Sequence, residues 1–280
     1  MPSNANLYVY HQGEIIPLEN AFLHISDLSV QRGYGIFDFF KLQQGVPLFL
    51  DDYLQRFYES ARLMHLPVPL ATGELKNVLY QLFAKNQLPN SGIKMILTGG
   101  YSPDGYQLAA PNLVITQHPL TLPSTDQAQQ GIKIITYAYI RDLAAAKTIN
   151  YSTGIRLQQQ IREQGADDVL YHQNGIVTEF PRSNFFIVTQ DNRVLTPAQD
   201  VLKGITRKNV LAVAGKKYRA EEGIVTLADI AQAKEAFTTS TTKRILPIVQ
   251  VDGQPVGNGS PGAISLELLQ DLIMLENQYK

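Results

Sequence analysis

The sequence has no cysteine among its 280 residues. That absence excludes disulfides, thiolate metal sites and a cysteine nucleophile, and it agrees with a chain that works in the reducing cytoplasm. An excess of either charge is missing too: 24 lysines and arginines stand against 25 aspartates and glutamates, a net charge of −1 spread along the chain. Nucleic acid and an anionic membrane surface are therefore not expected as partners. No apolar run is long enough to span a bilayer, and the opening MPSNANLYVYHQGE lacks the basic flank and apolar stretch of a signal peptide. His11, His24, His65, His118 and His172 are scattered, without HExxH or Cys/His spacing, so no metal is expected. There is no GxSxG elbow. The Gly33-Tyr34-Gly35 triplet lacks the further glycines and lysine of a nucleotide loop and reads as a turn.

What is present is a chain of 44% hydrophobic residues, long enough to bury a sizeable core in one large domain or two modest ones, with a small molecule as the expected partner. NLYVY and EIIPL flank a turn, GIFDFFKLQQGVPLFL reads as two strands, and DDYLQRFYESARLMHL is a helix capped by Asp51 or Asp52 and stopped by Pro67. A second helix near ELKNVLYQLFAKNQL leads to the paired strands GIKMILTGG and NLVITQ. The stretch HPLTLPSTDQAQQG is polar, carries two prolines and has no period, so it marks the domain boundary. The expected division is residues 1–119, a linker over 120–130, and residues 131–280.

Beyond it come a strand in GIKIITYAYI, a helix in STGIRLQQQIREQG, a hairpin on Asn174-Gly175, a second hairpin in FFIVTQDNRVLTP and a helix opening at GITRKNV. EAFTTSTTKRILPIVQVDG returns to strand, and Ile264, Leu268, Leu272 and Leu275 give the last helix an apolar stripe. Strand-heavy halves with flanking helices indicate an α+β fold.

Lys147 lies in ITYAYIRDLAAAKTINY, with few charges nearby. A lysine attacks carbonyls only when its ammonium is deprotonated, which burial or a neighbouring cation brings about. A desolvated nucleophile and an ordinary loop lysine are both open on this segment alone. Glu179, at a strand end between apolar neighbours, needs a partner if buried, such as a protonated heterocyclic nitrogen or a strand-end salt bridge. A lysine for an aldehyde and an acid for a ring nitrogen are what pyridoxal phosphate requires, together with a phosphate cradle. Gly204, followed by Ile205 and Thr206 at a helix start, the hydroxyl run Thr238 to Thr242, and Arg56 are candidates for that cradle. Each has a plainer reading as a cap, a strand or a solvated helix residue.

Taken in order, LQRFYES, KTINYSTG, VTEFPRSNFF, LKGITRKNV and AFTTSTTKRILPI resemble the fold-type IV pyridoxal-phosphate enzymes, the class IV aminotransferases, over nearly the whole chain. That group includes D-amino-acid and branched-chain aminotransferases and aminodeoxychorismate lyases. The resemblance implies a small N-terminal α/β sandwich and a larger C-terminal domain with a strand-rich, barrel-like core, with the cofactor between them. It also implies a homodimer whose sites borrow a loop from the partner. It makes Lys147 the residue that binds the cofactor aldehyde and takes the substrate Cα proton, and Glu179 the partner of the ring nitrogen. Tyr151 falls near the phenolic oxygen, and Arg56, Gly204, Ile205, Thr206, Ser240 and Thr241 fall on the phosphate, with Ser240 where many relatives have glycine. Phe37 stands where several relatives have tyrosine, and Thr242 joins it at the substrate.

Substrate choice depends on what binds the carboxylate. TGGYSPDGYQL resembles the loop that carries an arginine and a histidine for this purpose in some D-amino-acid aminotransferases, but here those places hold Asp104 and Tyr106. Arg32 and Arg182, with Lys94, are the candidate replacements, because an arginine fork matches a carboxylate. The expected reaction is transamination between an amino acid and a 2-oxo acid, with D-alanine and D-glutamate favoured. Branched-chain L-amino acids are the alternative, and aminodeoxychorismate lyase chemistry is the second alternative.

Overall fold

The computed structural model describes residues 7–123 and 125–279. Residues 1–6, on which the reading of a missing leader partly rests, and Ser124, within the expected boundary, lie outside them, as does Lys280. The chain forms two compact units: Met1–Thr121 with Ala146–Asn150, and Leu122–Ala145 with Tyr151–Lys280. Lys147 thus belongs to the first unit and Tyr151 to the second.

In the first unit, β1 (Tyr8–His11) and β2 (Glu14–Pro17) form a hairpin and are followed by the short α1 (Leu28–Arg32). Then come β3 (Gly35–Gln43), β4 (Val46–Pro47), α2 (Leu50–Leu63), α3 (Thr72–Asn86), β5 (Ser91–Thr98) and β6 (Leu113–Pro119). The six strands make one sheet in the order β2-β1-β6-β5-β3-β4, antiparallel throughout. Strand alternation divides β3 into two faces. Ile36, Phe40 and Leu42 are buried with Ile93, Met95 and Leu97 of β5 and with Leu54, Phe57, Leu75 and Leu79 of the two long helices. Phe37 and Phe39 point the other way and are half-buried. The α2 helix starts earlier than expected. Phe49, at φ 54°, is its N-cap and gives no side-chain cap, so Asp51 and Asp52 sit inside the first turn. Starting at Leu50 buries that side chain, and the two carboxylates still favour the positive end of the helix dipole.

The second unit opens with α4 (Thr125–Gln130), a short helix inside the stretch that showed no period, followed by β7 (Ile132–Ala138). The single expected helix after Tyr151 is two short ones, α5 (Ser152–Arg156) and α6 (Gln158–Glu163). β8 (Asp168–Gln173) and β9 (Ile176–Val177) form the Asn174-Gly175 hairpin, where both turn residues have positive φ. β10 (Asn184–Val188), β11 (Val194–Pro197), α7 (Ile205–Ala214), β12 (Ala220–Gly223), α8 (Leu227–Gln232), β13 (Glu235–Ser240), β14 (Arg244–Val251), β15 (Gln254–Pro255) and α9 (Ala263–Gln278) complete it. Nine strands form one mixed sheet, ordered β12-β11-β10-β13-β14-β7-β8-β9 with β15 on β14. β7 runs parallel to both β8 and β14, and β11 runs parallel to β12. One side of this sheet packs Phe186, Phe237 and Ile245 against Val210 of α7 and Leu268 and Leu272 of α9. Another cluster gathers Leu170, Phe180, Phe185 and Leu246. Among the described residues, no helix is long and apolar enough to cross a membrane.

Candidate active site

The segment carrying Lys147 is held against the start of β3. Phe37 N donates to the Lys147 carbonyl at 2.9 Å, Ile149 N donates to the Gly35 carbonyl at 3.0 Å, and Thr148 bridges Ile36 between them. Lys147 N donates to the hydroxyl of the buried Ser60 at 3.1 Å. A Cβ on Gly35 would lie 2.8 Å from the Leu97 carbonyl and 3.1 Å from Ile149 Cδ1, so the absent side chain is what lets three backbones run together here. These bonds fix the backbone of a half-buried lysine whose Nζ lies 4.7 Å from the centre of the Phe37 ring. Lys94 reaches the same ring at 5.1 Å, from the neighbouring strand. The register explains the meeting: Phe39 pairs with Lys94 and Phe37 with Ile96, so Lys94 is the diagonal neighbour of Phe37 on the same face.

Arg56, on α2, forks onto Asp38, with Nε and Nη2 at 2.9 and 2.6 Å from the two carboxylate oxygens. Asp38 is fully buried, and the fork fixes the plane of the guanidinium beside Tyr53. The sequence reading of Arg56 did not include this partner. A second buried acid, Asp27, ties α1 to the loop after β5: it accepts from Thr98 Oγ1, Asn112 Nδ2 and Ser29 N, each at 2.8 Å. Arg32 closes α1 and is exposed, and that loop passes beside it, since a Cβ on Gly105 would lie 3.7 Å from Arg32 Nη2. Asp104 shapes the loop. It accepts from the N–H groups of Gln107 and Tyr106 at 2.8 and 2.9 Å, and these bonds hold its carboxyl below the usual carboxylate range. Tyr106 points into solvent, 85% exposed.

In the second unit, Glu179 is 3% exposed and surrounded by donors. Arg141 Nη1 donates to Oε1 at 2.7 Å; Leu202 N and Asn184 Nδ2 donate to Oε2 at 3.0 and 3.3 Å. Burial opposes the Arg141 charge, but the carboxylate of Glu179 and the neighbouring Tyr151 and Tyr139 outweigh it and raise the guanidinium pKa. The sequence reading missed Arg141 and Asn184. Both lie in segments it quoted, but no spacing links either to Glu179. Tyr151 sits half-buried at the N-cap of α5, and Arg182 is exposed. Neither Arg32 nor Arg182 makes an ion pair among the described residues, whereas Arg56, Arg141, Arg193, Arg207 and Arg244 all do.

Gly204 is the N-cap of α7 and supplies no side-chain cap, so the first-turn N–H groups at Ile205 and Thr206 point out of the helix end. An added Cβ at Gly204 would come within 2.1 Å of Asn184 Oδ1. Asn184 pairs with Thr239 across β10 and β13, which puts the Thr239 side chain on the same face. The buried Thr239 hydroxyl has no hydrogen-bond partner among the described residues. Ser240, Thr241 and Thr242 follow directly, half-buried at the β13–β14 turn, where Ser240 Oγ accepts from Lys243 N at 3.1 Å. The unit therefore collects an uncapped helix end and several hydroxyls near one edge of β13, an arrangement suited to an anion.

The amino-transferase class IV family model matches residues 35–251. A D-alanine aminotransferase of Bacillus licheniformis is 29% identical over 96% of this chain and 98% of its own length. Its counterpart in Listeria monocytogenes serotype 4b is 30% identical over 91% of both chains. A branched-chain-amino-acid aminotransferase of Pseudomonas aeruginosa is 26% identical over 93% of this chain and 90% of its own. Among solved structures, a branched-chain amino acid aminotransferase of Escherichia coli superposes with a TM-score of 0.90 at 23% identity. It covers 97% of this chain and 95% of its own, and at that identity the likeness establishes the α+β fold. The chain belongs to the class IV aminotransferases, pyridoxal-phosphate enzymes that pass an amino group between an amino acid and a 2-oxo acid.

Proposed function

We propose that this transaminase prefers D-amino acids, D-alanine and D-glutamate foremost, with Lys147 as its catalytic base. When bound, pyridoxal phosphate supplies an aldehyde that captures the substrate amine and a ring that accepts the electron pair left at Cα. The residues present fit that group. Lys147 is a half-buried amine on a fixed backbone, Glu179 is a buried carboxylate suited to a protonated ring nitrogen, and the α7 end with the orphan Thr239 hydroxyl suits a phosphate.

In this reading Lys147 holds the cofactor until substrate arrives, and its released amine then moves the proton at the substrate Cα. Glu179 accepts the hydrogen bond of the ring nitrogen, and Tyr151 stands near the phenolic oxygen. Arg56, Gly204, Ile205, Thr206, Ser240 and Thr241 hold the phosphate. Phe37, Lys94 and Thr242 line the substrate. Arg32 and Arg182 bind its carboxylate, and their lack of carboxylate partners among the described residues is the observation that carries the D-amino-acid reading. The two D-alanine aminotransferases at 29% and 30% identity support it as well. The branched-chain alternative draws support from the Pseudomonas aeruginosa relative.

We further propose a homodimer. Phe22, Ile25, Val30 and Tyr106 are each at least 60% exposed on the segments that Asp27 ties together, an apolar surface suited to a second copy. Light scattering on the purified protein tests this, and a monomer at micromolar concentration contradicts it.

The substrate reading is tested by adding D-alanine, D-glutamate, L-leucine and L-glutamate separately to the cofactor-loaded enzyme without an acceptor. Loss of the visible absorption band with the D-isomers only is the expected result. Loss with the L-isomers only returns the enzyme to the branched-chain group. Pyruvate released from aminodeoxychorismate without an acceptor oxo acid would identify a lyase.

A further inference from the structure

The buried ion pair between Arg141 and Glu179 has no counterpart in the roles assigned above. Their side chains retain 8% and 4% of their exposure, and Nη1 lies 2.7 Å from Oε1. A carboxylate withdrawn from water needs a counter-charge as well as hydrogen bonds, or it takes up a proton. The partners of Glu179 are divided in this way: the cation is on Oε1, while the neutral donors Leu202 N and Asn184 Nδ2 are on Oε2. With both oxygens held, the carboxylate plane is fixed. Arg141 is held in turn by this bond, Nη1 to Glu179 Oε1 at 2.7 Å.

We propose that Arg141 is a positioning residue that acts through Glu179: it supplies the counter-charge that keeps this buried side chain a carboxylate, and it fixes the orientation in which Glu179 receives a protonated ring nitrogen. The inference rests on the role of Glu179 proposed above. Its consequence concerns recognition of one atom of the cofactor. A charged Glu179 favours a ring that carries N–H over a ring that carries C–H at the same place, whereas a neutral Glu179 discriminates far less.

The test compares the dissociation constants of pyridoxal phosphate and its deaza analogue, in which C–H replaces the ring nitrogen, for the apoprotein by equilibrium dialysis. Wild-type protein is expected to prefer pyridoxal phosphate by roughly tenfold or more, the worth of a hydrogen bond to a charged group. Arg141→Met is expected to reduce that ratio to about twofold or less, and Arg141→Lys, which keeps the charge, to retain most of it. Arg141→Gln keeps a donor and removes only the charge, so it serves as the neutral variant if Arg141→Met does not fold, with the same loss expected. A neutral variant that weakens both ligands equally, leaving the ratio as in wild type, overturns the proposal and leaves Arg141 a packing residue. No preference in wild-type protein defeats the Glu179 reading itself, which separates the two failures.

Discussion

Phe37 lies beside two lysine side chains, with Lys147 Nζ at 4.7 Å and Lys94 Nζ at 5.1 Å from its ring centre. An aromatic face attracts a cation such as that of Lys94 by about 0.5–1 kcal/mol at partly exposed sites, and it gives Lys147 an apolar wall. Phe37→Leu keeps the apolar bulk and removes that face. We expect an unchanged unfolding midpoint and kcat/KM lower by about two- to fivefold, measured with D-alanine and a 2-oxo acid. At this scale the sequence singles out Lys147 and Glu179, residue types whose placement among apolar neighbours is unusual, and Glu179 is buried as that placement suggests. Partners were not legible. Arg56 with Asp38, and Arg141 with Glu179, are separated by 18 and 38 positions, and only the fold brings each pair within bonding distance.

At the scale of elements, two helix starts show how a missing or borrowed cap is used. Gly204 leaves the α7 end uncapped and leaves room for Asn184. Gly204→Ala is compatible with φ −64°, but its Cβ would displace Asn184 from Leu202 and Glu179. We expect the dissociation constant for pyridoxal phosphate to rise about tenfold, the cost of disturbing one or two buried hydrogen bonds, in an equilibrium-dialysis measurement. The start of α9 is closed from a distance instead. Glu235, buried on β13, accepts from Ile264 N, Ser265 N and Ser265 Oγ at 3.0, 2.8 and 2.7 Å. Glu235→Ala leaves those donors buried without an acceptor, and a loss of roughly 2–4 kcal/mol in urea unfolding is expected.

Alternation and turn chemistry made the long helices, the Asn174-Gly175 hairpin and the antiparallel pairs readable. The short helices α4 and α8 and the parallel strand β12 were not, because a few residues carry too little period and a parallel pairing leaves no local mark. The α2 cap was misread because the left-handed turn at Phe49 moves the helix start ahead of the two aspartates.

At the scale of the whole molecule, the near-balance of charge leaves acid stability to particular pairs. Glu222 bonds both Arg207 and Lys203 at 2.6 Å, and these bonds lower its pKa from 4.5 to about 2. A folded-state pKa below the unfolded one contributes stability above pH 4.5 that is lost as pH falls towards 2. Glu222→Gln is therefore expected to flatten the stability curve over that window in urea unfolding at stepped pH. Nothing local in the sequence signals that Ala146–Asn150 joins the first unit. That assignment matters because it places Lys147 on the backbone of β3, beside Phe37 and Ser60. In the proposed function this one lysine carries the cofactor. Borohydride reduction of the loaded enzyme followed by peptide mapping checks that role. A phosphopyridoxyl group is expected on the peptide containing Lys147, absent in Lys147→Ala, and modification of a different lysine, or of none, would contradict the assignment.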